Sequence, residues 1–217
     1  MFSASLRDPV GKSGQPGFTI TMSDNPLVSA AKSIENSESL DGAVDQVGAV
    51  VHKVFGTGTV RDVLHGAPLG HPAHPVAILI PAGAWISAAV LDFLPGQEKA
   101  ARALVGVGVL SAAPAAASGI ADWSVLRDQK QRRVGIVHWA ANLTAVALYS
   151  ASYVQRRRGR LASGKALSLA GLALISASGY LGGHLAYRQA ANVESGDTEL
   201  GADFIVDAGR LPELREP

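Results

Sequence analysis

The chain has 217 residues, 47% of them hydrophobic and 17% charged, with a net charge of +1 and no cysteine. Disulfides, thiolate metal sites and clusters held by protein sulfur are therefore excluded, and no nucleic-acid partner is expected. Charge is also segregated. Between Val76 and Tyr187 four apolar runs carry almost none of it and the connections carry nearly all, which is the pattern of membrane spans.

Residues 1–34 have no apolar period and are rich in Ser, Gly and Pro, so they are read as a disordered tail. Gly11-Lys12-Ser13 is no phosphate loop, because Leu6 stands where that motif needs its first glycine. Residues 35–70 form a short amphipathic helical segment. Leu40, Val44, Val47, Val51, Val54 and Phe55 recur at spacings of three and four, which predicts a surface helix packed on a membrane domain. Gly56 and Gly58 end it, and residues 60–65 predict a second, shorter helix.

His71-Pro72-Ala73-His74-Pro75 then leads into the first apolar run, with Pro75 suited to the first turn of a helix. Residues 71–189 are read as a four-span membrane domain, with spans at about 76–94, 100–120, 134–154 and 166–187. Each has about 20 residues, enough for a hydrocarbon core of roughly 30 Å at 1.5 Å per residue. Pro95 to Lys99 is too short a link for anything but antiparallel neighbours. Gly108, Ala112 and Ala116 on the second span, and Gly179 and Gly183 on the fourth, are predicted helix contacts. Asp92 is predicted to pair with Lys99 or Arg102. Residues 190–217 read as an acidic, mostly irregular tail. The fold class is all-α: an integral membrane, antiparallel four-helix bundle with a short amphipathic N-terminal helical segment.

Four antiparallel spans return the chain to its starting side, here called side A, after every second crossing. His71, His74, His138 and His184 all fall on side A, with Asp122 and Trp123, and side B has none of the histidines. Asn142 shares a helical stripe with His138, and Gly182-Gly183 precede His184 and leave room for something broad. Three readings compete. His138 and His184 hold a haem b in a slot beside Gly179, Gly182 and Gly183. Alternatively, the four histidines with Asp122 ligate a transition metal ion such as zinc, copper or non-haem iron. In the third reading the histidines are structural and bond carbonyls at the membrane interface. A Ser hydrolase is disfavoured because no Gly-x-Ser-x-Gly elbow is present.

Leu64-His65-Gly66, Leu69-Gly70-His71-Pro72-Ala73-His74-Pro75, Pro81 to Trp85, Leu91-Asp92, Ala121-Asp122-Trp123 and Gly182-Gly183-His184 to Arg188 together resemble a bacterial membrane-protein family of unknown function. The resemblance covers about residues 58–192 and implies a four-span domain. Some members of that family carry a Rieske iron–sulfur domain after the last span, which implies redox work by association. This chain has too few residues after Arg188 for such a domain, so the implied iron–sulfur partner is a separate chain.

The function expected from these readings is a membrane redox module, not a stand-alone catalyst. It would bind haem b or a metal through His138, His184 and one of His71 or His74, with Asn142, Trp123 and Arg188 behind the ligands. A non-catalytic anchor or scaffold for a partner protein and a metal-ion carrier are the alternatives. The expected location is the inner (cytoplasmic) membrane, in contact with the lipid bilayer. Positive charge is nearly balanced between the two sides. The length of the N-terminal tail favours both termini in the cytoplasm.

Overall fold

The computed structural model describes residues 25–56 and 58–191. The described part opens with α1 (Pro26–Glu35), within the stretch where sequence pattern predicted disorder. Asn25 caps it by accepting from the Leu27 N–H at 2.8 Å, and Pro26 opens its first turn. Val28 and Ala31 are buried, and the helix packs on a later span. Leu27, Val28, Ala31 and Ile34 keep helical spacing, and a helix of ten residues is held by packing that face on a span. The residues of the predicted tail before Asn25 lie outside the described part, as do those after Ala191.

A single 3₁₀ turn leads into α2 (Asp41–Phe55), which buries Val44 and Val51 and stops at Gly56, φ 55°. Next comes α3 (Thr59–His65), closed by Gly66 at φ 108°. Gly66 cannot be replaced without strain: a Cβ there would run into the His71 carbonyl and the Ala73 nitrogen. The chain doubles back at that point, and the Ala73 N–H donates to the His65 carbonyl at 3.0 Å.

The first span is broken. α4 (His74–Ala77) stops and α5 (Leu79–Leu91) restarts across Ile78. Pro81 accounts for it, since its missing N–H leaves the Ala77 carbonyl without an i→i−4 partner. The other spans are α6 (Glu98–Ser124), α7 (Gln129–Arg157, capped by Asp128) and α8 (Leu161–Tyr187). α6 passes through Pro114 unbroken. These helices have 27, 29 and 27 residues, or about 40 Å each, and so extend past the roughly 30 Å apolar layer at their ends. Four helices, counting α4 and α5 as one, are long and apolar enough to cross a membrane.

α5 packs on α6, α6 on α7, α7 on α8, and α8 back on α5, so the four form a closed bundle. Its centre is a stack of Trp85 on Tyr149, ring centroids 4.1 Å apart and planes within 2°. Gly108 lies under the indole and Gly171 under the phenol, and a Cβ at either would collide with the ring above it. Gly108 and Ala112 are buried contacts as predicted, whereas Ala116 is exposed. On α8 the buried face is Gly164, Ser168, Gly171 and Ser178, and Gly179 is exposed. The steps of four, three and seven put the inward stripe one residue before the predicted Gly179.

At side B the Asp92 carboxylate meets Arg156, not Lys99 or Arg102. NH1 donates to Oδ1 at 2.7 Å and NH2 to Oδ2 at 2.5 Å, and Lys165 donates to the Asp92 carbonyl. Arg156 also reaches the hydroxyls of Ser152 and Ser168, and Gly164 makes room for its stem. Partners near in sequence lost to one delivered by the third span, because only the latter is inside the bundle.

Candidate functional site at the side A end

His74, the first residue of α4, is placed by Pro75 and by the turn at Gly66. Its Nδ1 donates to the Ala115 carbonyl on α6 at 2.8 Å, and its ring rests over Gly119, where a Cβ would stand 2.9 Å from the imidazole. His138 on α7 makes the matching contact to α8. Its Nδ1 donates to the Ser178 carbonyl at 2.8 Å, while Gly182 supplies the flat seat beneath the ring. Asn142, one turn on, donates from Nδ2 to His138 Nε2 at 3.0 Å. The Ser178 hydroxyl returns a bond to the His138 carbonyl at 3.1 Å. With Nδ1 on a carbonyl and Asn142 at Nε2, both ring nitrogens of His138 have partners. The His74 and His138 rings meet edge to face, 6.3 Å between centroids.

His184 does not join them. Gly182 faces His138, and two residues further on a helix turns through about 200°. His184 therefore points out of the α7 contact and towards α1. There its Nε2 lies 2.5 Å from Glu35 Oε1, with Gln189 donating to the same oxygen at 2.9 Å. The ring is 5% exposed, and its Nδ1 is buried with no partner among the described residues.

The remaining predicted residues are scattered. His71 is exposed and bonds only its neighbour's carbonyl, Pro72 O at 3.1 Å. Asp122 pairs with His65 Nδ1 at 2.8 Å. Trp123 donates to the Arg132 carbonyl at 3.1 Å, lies over Gly135 and carries the Arg132 guanidinium 4.9 Å above its ring. Arg188 is exposed, its N–H on the His184 carbonyl, and Gly183 touches only the edge of Tyr187. Among the described residues no three His, Asp or Glu side chains stand close enough to share a metal ion.

The two residues that sequence reasoning passed over are His65 and Glu35. Both lie on the N-terminal segment and clasp it to the spans, His65 to α6 and Glu35 to α8. A third clasp joins Asp41 to Arg133, with 2.7 and 2.6 Å bonds to the two carboxylate oxygens, while Arg133 NH1 donates to the Glu35 carbonyl at 2.9 Å. Arg133, and then Gln129, hold the Asp41 carboxyl well below the usual carboxylate range, at about 2. His65 had a signal, since Leu64-His65-Gly66 belongs to the recognisable pattern. Glu35 had none.

Chemically, side A offers two carbonyl-anchored imidazoles at its centre and three base–carboxylate clasps around them. No curated protein and no solved structure matches the chain. Residues 70–195, more than half of the sequence, match the family model described as "Predicted membrane protein (DUF2231)", and the chain belongs to that family of multi-pass membrane proteins.

Proposed function

We propose that this four-span module is a membrane anchor and platform for a separate redox protein, with a Rieske-type iron–sulfur protein as the partner class. One observation carries the reading. Each of four side A imidazoles commits one ring nitrogen to joining helices: His74 to α6, His138 to α8, His65 to α6 and His184 to α1. A residue so employed is a fastener, and the layer it builds is a fixed face instead of an open cofactor slot. α8 ends on that same face, where the resemblance implies that the iron–sulfur domain follows in fused members. On the sequence argument for both termini inside, that face is cytoplasmic and the membrane is the inner one.

A second reading is favoured by one feature of the central pair. His74 and His138 each give Nδ1–H to a backbone carbonyl, the arrangement that fixes the tautomer in which Nε2 is the ligating nitrogen. A haem b or metal ion held by these two, with Asn142 displaced, makes the module itself an electron carrier.

Purification from membranes separates the readings. The anchor is colourless and holds no stoichiometric transition metal. A photo-crosslinker at Tyr187, which is 91% exposed, joins it to a protein with the electron paramagnetic resonance signal of a two-iron cluster. A Soret band, or one equivalent of copper, zinc or iron that His74→Ala and His138→Ala both remove, overturns the anchor and establishes the second reading.

A further inference from the structure

Away from the histidine pair, the N-terminal helices do not lie flush on the bundle. Between α2, the start of α3 and the side A ends of α6 and α7 is a cavity of about 70 Å³. Its walls include Gly48, His52, Arg61, Trp123, Ser124 and Arg132. We propose that this cavity binds the phosphate group of an anionic phospholipid or free phosphate, the shared chemistry being a tetrahedral oxyanion. The proposal is independent of the anchor reading above.

The charge at the site is one-sided. Two guanidinium groups and an imidazole line it, and no carboxylate does among the described residues. Arg61 gives Nε and NH2 to one oxygen of Asp62, whose side chain is half exposed, so that pair neutralises little and can yield to a better acceptor. Arg132 makes no ion pair among the described residues. What holds it is geometric. The guanidinium carbon sits 4.9 Å from the centroid of the Trp123 ring, and Gly48 leaves the opening into which the group projects, since a Cβ there would stand 2.6 Å from its NH2. A guanidinium confined between an indole and a glycine loses little freedom on binding, and its fork matches phosphate oxygens two at a time. Asp122 precedes Trp123 in the chain and has His65 as its neighbour, outside the cavity wall.

Size and level agree with charge. At roughly 10–15 Å³ per water, the volume takes about five to seven water-sized centres, enough for the four oxygens of one phosphate group. The cavity sits where two spans end and the surface helices begin, the level at which lipid headgroup phosphates lie. Basic pockets between span ends are the ordinary way such headgroups are held. Val50, Val54, Val60 and Val63, on the same two helices, are exposed and supply an apolar flank along which acyl chains can lie.

The test uses the full chain purified in neutral detergent. Retained lipid is counted by native mass spectrometry, and thermal unfolding is followed with added phosphatidylglycerol, phosphatidylcholine or inorganic phosphate. Binding of phosphatidylglycerol but not phosphatidylcholine assigns the site to lipid, whereas stabilisation by inorganic phosphate alone assigns it to free phosphate. In either case Arg132→Gln, and separately Arg61→Gln, weakens binding about tenfold or more, the worth of one charge-assisted hydrogen bond. Arg132→Lys keeps the charge, loses the fork and recovers only part of the affinity. Arg127→Gln, an exposed position off the cavity wall, controls for net charge. Equal losses in Arg127→Gln and Arg132→Gln, or no binding by the folded wild-type chain, overturn the proposal.

Discussion

The two ends of the bundle solve the same problem in different ways. Side B concentrates its polarity in one fully charged pair, Asp92 with Arg156, whose side chains are 9% and 0% exposed. Side A distributes its polarity over imidazoles, backbone carbonyls and clasps to helices that belong to no span. A buried ion pair is rigid and all-or-none, because removing either partner strands a charge in a low-dielectric interior. A layer of many separate hydrogen bonds and clasps is graded, since each can be lost without the others. The difference suggests a division of labour. Side B is closed by one pair that cannot be opened cheaply, and side A is held by several contacts that can be lost one at a time.

Breaking the side B pair is the harshest test. Arg156→Met leaves the Asp92 carboxylate buried beside Ser152 and Ser168, and is expected to cost roughly 3–5 kcal/mol of stability. Asp92→Asn should cost less, since an amide still accepts from the guanidinium. The double variant Asp92→Leu/Arg156→Met should recover most of the loss, because the charge and its penalty leave together. Thermal unfolding in detergent measures all three. A double variant no better than Arg156→Met alone would mean that the pair does more than neutralise itself.

At side A the corresponding variant is Glu35→Gln. The amide keeps the shape of the carboxylate and can still meet His184 and Gln189, but loses the charge-assisted part of both bonds. The expected cost is about 1–2 kcal/mol, read as faster hydrogen exchange in α1 with the spans unaffected. If exchange quickens equally in α8, the clasp is integral to the bundle and the contrast between the ends fails.

The sequence was most legible where one physical rule dominated. Lipid demands long apolar helices, so the four spans and their antiparallel order could be read directly; the structure lengthens the last three and breaks the first at Ile78, ending it at Leu91. Gathering of histidines on side A was likewise a consequence of topology. Which way each ring points was not, because that depends on helix phase. Gly182 looked like room for a ligand of His184, yet two residues around the helix it became the seat of His138. Asp92 met Arg156 over the nearer Lys99 and Arg102 for a related reason: its partner is chosen by which helix face is inside, and sixty-four residues of separation carry no local signal. α1 escaped detection because ten residues with the Asn25-Pro26 start and one short apolar stripe are easily lost against a long Ser-, Gly- and Pro-rich stretch, and its burial comes chiefly from α7.

The smallest effect concerns pH, and it separates the outer clasps from the core. Asp41 titrates at about 2 in the folded chain against an ordinary 3.8, so its carboxylate is stabilised by folding, chiefly through Arg133. A group whose pKa is lowered by folding adds stability at every pH above its unfolded value, and loses it as pH falls through the folded one. The Asp41–Arg133 clasp should therefore be complete at neutral pH, weaken below 3.8 and be gone near 2. Asp41→Asn removes that dependence. Pepsin, active across this range, should cut the α1–α2 segment of the wild-type chain progressively faster as pH drops. The variant should already be cut faster at pH 4, and the two should converge near pH 2. Persistence of the difference at pH 2 would mean that Asp41 acts through its shape and its bond to Gln129, not through its charge. Convergence would identify the N-terminal helices as attached by charges that water can reach, in contrast to the sealed pair at the opposite face.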